Sequence, residues 1–314
     1  MEPAGPVSAG PASQLVLNQS ATPSPATAKL EPSTRFLAGL VGEDIGASRS
    51  PWLHEREADA QQVRLVYSLY DLARDGTGAS GLEPLLNAAK TMGFAGLNVT
   101  HPYKQSIIPL LDELSEEARR IGAVNTIAFR NGRSTGYNTD YIGFAEGLRR
   151  GLPGAQFANV VQLGAGGAGS ATARALLEHG TGTLHLYDVE QDRAQSLAAS
   201  LRSSFGSHRI DVLADASSAM TRADGLVNAS PVGMAGHAGL PLPLECLRPS
   251  LWVADIVYFP LETELLKAAR QLGCRTLDGI TMVVFQAAAA FDIFTGLTAN
   301  RERMLADAVE HWRA

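Results

Sequence analysis

The sequence predicts an α/β protein of two domains, the second carrying a doubly wound parallel sheet, and three observations lead there. At 314 residues the chain is longer than a single hydrophobic core usually grows. From Phe36 onward, short β-rich runs alternate with amphipathic helical stretches, as strands joined by crossover helices do. Near the middle, an apolar run at 160–163 enters a glycine turn, Gly164-Ala165-Gly166-Gly167-Ala168-Gly169, and a later apolar run at 184–187 ends in Asp188.

Residues 1–33 are rich in Pro, Ala and Ser, contain one lysine, Lys29, and lack the basic start and apolar centre of a signal peptide, so a flexible tail is expected. Residues 36–42 read as the first strand. Ser50-Pro51 reads as a helix entry, with Ser50 as N-cap and Pro51 as the first helical residue. A strand at 65–70, a helix at 81–92, a strand at 95–99 and a helix at 103–111 are expected next. Ser115, followed by Glu116 and Glu117, starts a capped helix whose acids suit its dipole, and Gly122 stops it. Residues 123–129 and 134–139 flank Asn131-Gly132, the strongest short-range hairpin signal.

A linker at 151–156 precedes the glycine turn and its helix at 168–178. Further strands are expected at 184–187, 210–213, 225–228, 252–257 and 275–277. The apolar, alanine-rich stretch 280–294 reads as a helix packed between or across two domains. The expected division is a first α/β domain over 34–146, rejoined by C-terminal helices at 280–314, and a second domain over 147–279.

Each glycine of Gly164-x-Gly166-x-x-Gly169 has its own task. The first permits the tight turn, the second lets backbone approach a pyrophosphate, and the third lets helix pack on strand. The helix that follows aims its free N–H groups and positive dipole end at that pyrophosphate. Strand, turn, helix and strand in this order make a Rossmann-type dinucleotide domain. Asp188 stands 19 residues beyond Gly169 (188 − 169), where a carboxylate can accept both ribose hydroxyls of an adenosine and would repel a 2′-phosphate. The expected cofactor is therefore NAD rather than NADP, held by Gly164, Ala165, Gly166, Gly167, Ala168, Gly169 and Asp188.

An apolar share of 45% and a charged share of 18% are globular values, and a formal charge of −6 argues against an obligatory nucleic-acid partner. The two cysteines, Cys246 and Cys274, have neither metal-ligand spacing nor a disulfide framework, so no metal is expected and a reducing compartment is. No segment supplies about 18 uninterrupted apolar residues, so a membrane partner is not expected. A soluble, cytoplasmic protein acting on a small molecule, as monomer or homodimer, is the expectation.

Three further segments hold more polar residues than a core needs. They are Ile45-Gly46-Ala47-Ser48-Arg49-Ser50-Pro51-Trp52-Leu53-His54, Gly96-Leu97-Asn98-Val99-Thr100-His101-Pro102-Tyr103-Lys104, and Gly122-Ala123-Val124-Asn125-Thr126 with Gly136-Tyr137-Asn138-Thr139-Asp140. In these motifs, and over nearly all of the chain from Phe36 onward, the sequence closely resembles the shikimate dehydrogenase family. Within it the likeness is to the NAD-dependent quinate/shikimate dehydrogenases, because Ser-Arg-Ser-Pro is followed by His54-Glu55 and the second nucleotide strand ends in Asp188. The biosynthetic members typically carry His-Ser-x-Ser-Pro, a His-Asn pair and a basic turn for a 2′-phosphate. This chain instead has Ala47 before Ser48, Glu55 after His54, and Tyr187-Asp188-Val189 at the turn.

The resemblance implies that Lys104 and Asp140 are the catalytic pair. Oxidising a secondary alcohol requires a proton to leave oxygen as hydride leaves carbon. Burial favours the neutral, proton-accepting form of a lysine, while an adjacent carboxylate favours the ammonium and orients it. The resemblance further implies that Ser48 and Ser50 hold a substrate carboxylate and that Asn98, Thr100, Asn125 and Gln286 hold ring hydroxyls. For Ser50 a capping role weighs equally with a ligand role. Tyr258, within Asp255-Ile256-Val257-Tyr258-Phe259-Pro260, would touch substrate or the domain interface, and Asn228, Ser230, Pro231 and Gly279 would line the cofactor.

The expected activity is reversible hydride transfer, quinate or shikimate plus NAD giving the 3-dehydro acid plus NADH, in a cleft whose closure excludes water. Alternatives are a paralogue acting on a modified cyclitol acid, an NADP-dependent biosynthetic shikimate dehydrogenase, and an NAD-sensing binding protein without turnover. A folate-linked dehydrogenase shares the layout, but Ser48-Arg49-Ser50-Pro51 and Asn138-Thr139-Asp140 favour the cyclitol acid.

Overall fold

A computed structural model describes residues 34–74 and 76–313; the expected tail, 1–33, lies outside the described residues. The chain first runs through β1 (Arg35–Gly42), α1 (Ser50–Ala60), β2 (Arg64–Asp71), α2 (Leu82–Thr91), β3 (Gly96–Val99), β4 (Glu113–Leu114), α3 (Glu116–Ile121), β5 (Thr126–Arg130) and β6 (Arg133–Tyr137). Helix α4 (Asp140–Gly151) carries it onward to β7 (Asn159–Leu163), α5 (Gly167–His179), β8 (Thr183–Tyr187), α6 (Gln191–Phe205), β9 (Ile210–Val212), β10 (Gly225–Asn228), β11 (Trp252–Asp255), α7 (Glu264–Gln271) and β12 (Arg275–Leu277). Helices α8 (Gly279–Thr295) and α9 (Arg301–Arg313) follow.

The first sheet has the order β2-β1-β3-β5-β6-β4. β1 pairs in parallel with both β2 and β3, whereas β3, β5 and β6 run antiparallel in turn. The β5–β6 hairpin turns on Asn131 and Gly132, whose φ values of 51° and 75° are the pair a two-residue type I′ turn demands. Ser115 caps α3 by accepting the Ala118 N–H at 3.1 Å, and Gly122 ends it in the left-handed conformation.

The second sheet, β12-β11-β10-β7-β8-β9, is parallel throughout. Its order reverses between β7 and β10, and the glycine turn leaves β7 at that switch point, where open α/β sheets bind ligands. The two domains share α8, which is apolar on nearly every face. Phe291 and Phe294 pack with Leu53, Leu65 and Tyr67 of the first domain, while Met282 packs with Phe144, Val160 and Leu277. α4 crosses α8 closely because Gly143 has no side chain: a Cβ there would lie 2.2 Å from the Met282 carbonyl oxygen. Among the described residues no helix is long and apolar enough to cross a membrane.

Two local expectations are corrected. Residues 103–111 form a series of turns ending in a 3₁₀ segment, Ile108–Leu110, instead of a helix. Pro109 has no N–H, and its ring would meet the carbonyl four residues back, so an α-helix cannot propagate there. Ser50 is not the cap of α1 but its first residue; Arg49 occupies the cap, and the Ser50 N–H donates to Ser48 Oγ at 3.3 Å.

Candidate active site

The glycine turn fits a phosphate-bearing group by the separate constraints on its glycines. Gly164 has φ +102°, and a Cβ there would lie 2.6 Å from the Ala229 carbonyl oxygen. At Gly169 a Cβ would lie 2.3 Å from the Gly164 carbonyl oxygen, so that glycine seats α5 on the turn. A Cβ on Gly166 would meet nothing within 4 Å, which leaves backbone open beside the first turn of α5. Ala165 is buried, and Ala168 lies in that first turn.

Below the turn, Gln162 is fully buried and donates through Nε2 to the Gly164 and Gly169 carbonyls at 2.9 and 2.8 Å. Asp188, just beyond β8 and 8% exposed, accepts the Ala165 N–H at 2.7 Å and the Glu190 N–H at 2.9 Å. Beside it Glu190 pairs with Arg193 at 2.8 Å.

Lys104 and Asp140 come from different elements yet meet at 2.5 Å, Nζ to Oδ2, with side-chain exposures of 16% and 7%. Asp140 begins α4, where the helix dipole favours a carboxylate. Lys104 is held by its turn: its carbonyl accepts the Val124 N–H at 2.7 Å, and its neighbours Tyr103 and Ile107 are buried.

Around this pair lies a buried polar network. Asn98 donates to the Asn125 carbonyl at 3.1 Å and to Thr126 Oγ1 at 2.9 Å, and accepts the Tyr67 hydroxyl at 2.7 Å. Asn125 accepts the Thr139 N–H at 2.7 Å and donates to Thr139 Oγ1 at 3.0 Å. Gln286 of α8 joins through Oε1, which accepts from Asn125 at 3.4 Å and from Thr139 at 3.3 Å. Thr100 stands apart, its methyl packed against Gly42. Ser48 and Ser50 are half-buried, with hydroxyls 3.2 Å apart, and the Tyr67 hydroxyl interacts with Ser50.

The second domain contributes the turns after β10 and β11. Asn228 is buried, donates to Asp255 Oδ1 at 3.0 Å and accepts the Ser230 hydroxyl at 2.6 Å. Pro231 is exposed next to it. Asp255 also accepts the Thr263 hydroxyl at 2.7 Å and the Val257 N–H at 3.0 Å, and burial still pushes its carboxyl up to about 6. Burial likewise raises the Tyr258 phenol, helped by Asp140. Gly279 is a packing glycine, since a Cβ would lie 2.7 Å from the Ile256 carbonyl oxygen. Between Ser48 and Ser50, the Arg49 guanidinium lies 6.0 Å from the Phe259 ring centroid of the second domain and 5.5 Å from that of Trp312.

A family model described as the shikimate dehydrogenase substrate binding domain matches residues 40–127, and one described as the shikimate 5′-dehydrogenase C-terminal domain matches 279–307. A shikimate dehydrogenase (NADP(+)) of Streptomyces avermitilis is 52% identical over 277 residues, covering 88% of this chain and 95% of that one. The chain belongs to the shikimate dehydrogenase family. Another member, a quinate/shikimate dehydrogenase (NAD(+)) of Corynebacterium efficiens, is 50% identical over 275 residues, covering 86% and 96%. The solved quinate dehydrogenase from Corynebacterium glutamicum in complex with NAD superposes with a TM-score of 0.80 at 46% identity, covering 88% of this chain and 100% of that one.

For this family member, three residues at the site escaped the sequence reading: Tyr67, Gln162 and Arg49. Gln162 left a signal, being the lone polar residue in the apolar run 160–163. Arg49 stood inside a quoted motif as a charge between two serines. Tyr67 left none, since an aromatic in a strand is ordinary core.

Proposed function

We propose that this protein is an NAD-dependent dehydrogenase that reversibly oxidises a ring hydroxyl of quinate, shikimate or both to the 3-dehydro acid. The carrying observation is the Lys104–Asp140 pair, 2.5 Å apart, with Lys104 packed against the first turn of α5. NAD, when bound, supplies the hydride acceptor. Lys104 Nζ takes the proton of the reacting hydroxyl during oxidation and returns it during reduction. Asp140 orients the Lys104 amine and limits its motion.

Ser48, Ser50 and Tyr258 are assigned to the substrate carboxylate, with Arg49 supplying positive charge to the same loop. Asn98 and Asn125 already spend most of their hydrogen-bonding capacity inside the protein, so their part is to hold the floor of the ring site and offer it a remaining lone pair. Gln286 and Thr100 are assigned to the ring hydroxyls. Asn228, Ser230, Pro231 and Gly279 are assigned to the wall beside the cofactor.

The choice of NAD rests on charge. A 2′-phosphate on the adenosine would lie by Asp188 and Glu190, and the adjacent cation, Arg193, is already paired with Glu190. We assign residues 34–146 and 280–314 to substrate binding and 147–279 to the nucleotide. Initial rates of nicotinamide reduction, with quinate and shikimate each offered beside NAD and NADP, test the reading. Turnover with NAD on either acid supports it. Preference for NADP would overturn the charge argument, and no turnover in any combination would overturn the activity.

A further inference from the structure

The glycine turn holds one more glycine than its nucleotide tasks require. Gly164, Gly166 and Gly169 each have a steric reason within the second domain; Gly167, expected with them at the cofactor, can serve it there only through its first-turn N–H, which alanine would also supply. Its φ lies outside the left-handed region, and it is the first residue of α5, where alanine would be the better helix former. The constraint comes from the other domain: a Cβ on Gly167 would lie 2.9 Å from Lys104 Cβ, 3.3 Å from Lys104 Cδ and 3.6 Å from Ala123 Cβ.

We propose that Gly167 is a positioning residue for the reaction, whose missing side chain seats Lys104 against the cofactor turn when the cleft is closed. The inference rests on Lys104 being the proton-exchanging residue. An added methyl cannot be relieved by a side-chain swing, because the atom that it meets first is Lys104 Cβ, fixed to the backbone. That backbone is anchored by the Val124 N–H bond to the Lys104 carbonyl and by buried Tyr103 and Ile107. Relief must come from the two domains moving apart, by about 1 Å to restore an ordinary carbon–carbon contact. The Lys104–Asp140 pair would then stand off from the turn that holds the nicotinamide nucleotide. A displacement of that size at a reacting centre costs roughly 100-fold in rate.

The test compares Gly167→Ala with Gly166→Ala in the full chain. Binding of NAD is followed by protein fluorescence, turnover by nicotinamide absorbance, and folding by thermal melting. Gly167→Ala should melt at or above the wild-type temperature, keep the NAD dissociation constant within about threefold, and lose roughly 10- to 100-fold in kcat. Gly166→Ala, at the backbone left open to the pyrophosphate, should instead weaken NAD binding. A Gly167→Ala protein with wild-type kcat overturns the inference, as does one that no longer binds NAD or no longer melts cooperatively, since the glycine would then serve the second domain itself. If the wild type oxidises neither acid, the functional reading falls and this inference with it; an active wild type beside an equally active variant overturns the inference alone.

Discussion

The carboxylate of Asp188 accepts the Ala165 N–H at 2.7 Å, so the acid that follows β8 also braces the glycine turn that follows β7. One residue thereby shapes the turn and sets the charge where the adenosine ribose would lie. Asp188→Asn keeps an oxygen acceptor but removes that charge. Its kcat/KM with NAD should fall about tenfold, as loss of a charged hydrogen-bond partner does, and the NADP-to-NAD ratio of kcat/KM should rise. Initial rates with both cofactors measure it, and an unchanged ratio would contradict the assignment.

Lys104 should be indispensable to turnover and dispensable to nucleotide binding. Lys104→Ala is expected to lower kcat by about 10²- to 10⁴-fold while leaving NAD affinity within about threefold, read by fluorescence titration. A variant with undiminished turnover would remove Lys104 from the proton path. A wild type that binds NAD with no turnover on any cyclitol acid would favour a sensor.

His54 is fully buried, stacks on Tyr67 with ring centroids 4.6 Å apart, and has no hydrogen-bond partner for either ring nitrogen. Burial pushes its pKa down to about 3. The unfolded chain therefore binds this proton between about pH 6.5 and 3 while the folded protein does not, and stability is lost as pH falls through that window. His54→Phe keeps the stack and removes the titration. Its stability relative to wild type should rise by about 2 kcal/mol between pH 7 and pH 5, measured by chemical denaturation. A difference that stays constant with pH would refute it.

Asp255 works in the opposite sense. Because its folded pKa, about 6, lies above the ordinary 3.8, the folded protein keeps this proton to higher pH than the unfolded chain, and stability falls as pH rises from about 4 to 6. Asp255→Asn retains an oxygen for Val257 and Asn228 and presents an amide to Thr263 Oγ1. The variant should gain on wild type by about 2 kcal/mol between pH 4 and pH 7. Parallel denaturation curves at the two pH values check this, and a flat difference would contradict it.

Much of the architecture was legible because its signals are local. Alternating apolar runs marked most strands, Ser115 and Gly122 marked both ends of α3, and Asn131-Gly132 marked the hairpin. The failures were local rules overridden nearby. Pro109 broke an apolar stretch that otherwise reads as helix, and α1 begins one residue early, with Arg49 at its cap and Ser48 accepting the N–H of Ser50, the serine expected to be the cap. Tyr67 acts through Asn98, 31 residues on and in another strand, and spacing carries no trace of such a contact.

By itself, the sequence determined the order of elements, the glycine turn with its terminal acid, and the polar motifs that resemble one family, because backbone preference and side-chain chemistry act over a few residues. Only the tertiary structure decided what those motifs do to each other. Lys104 meets Asp140 because a turn held by buried Tyr103 and Ile107 faces the start of α4, and Lys104 approaches the glycine turn through the space that Gly167 leaves. Close packing between segments distant in the chain sets such distances, and it exists only once both domains and α8 have come together.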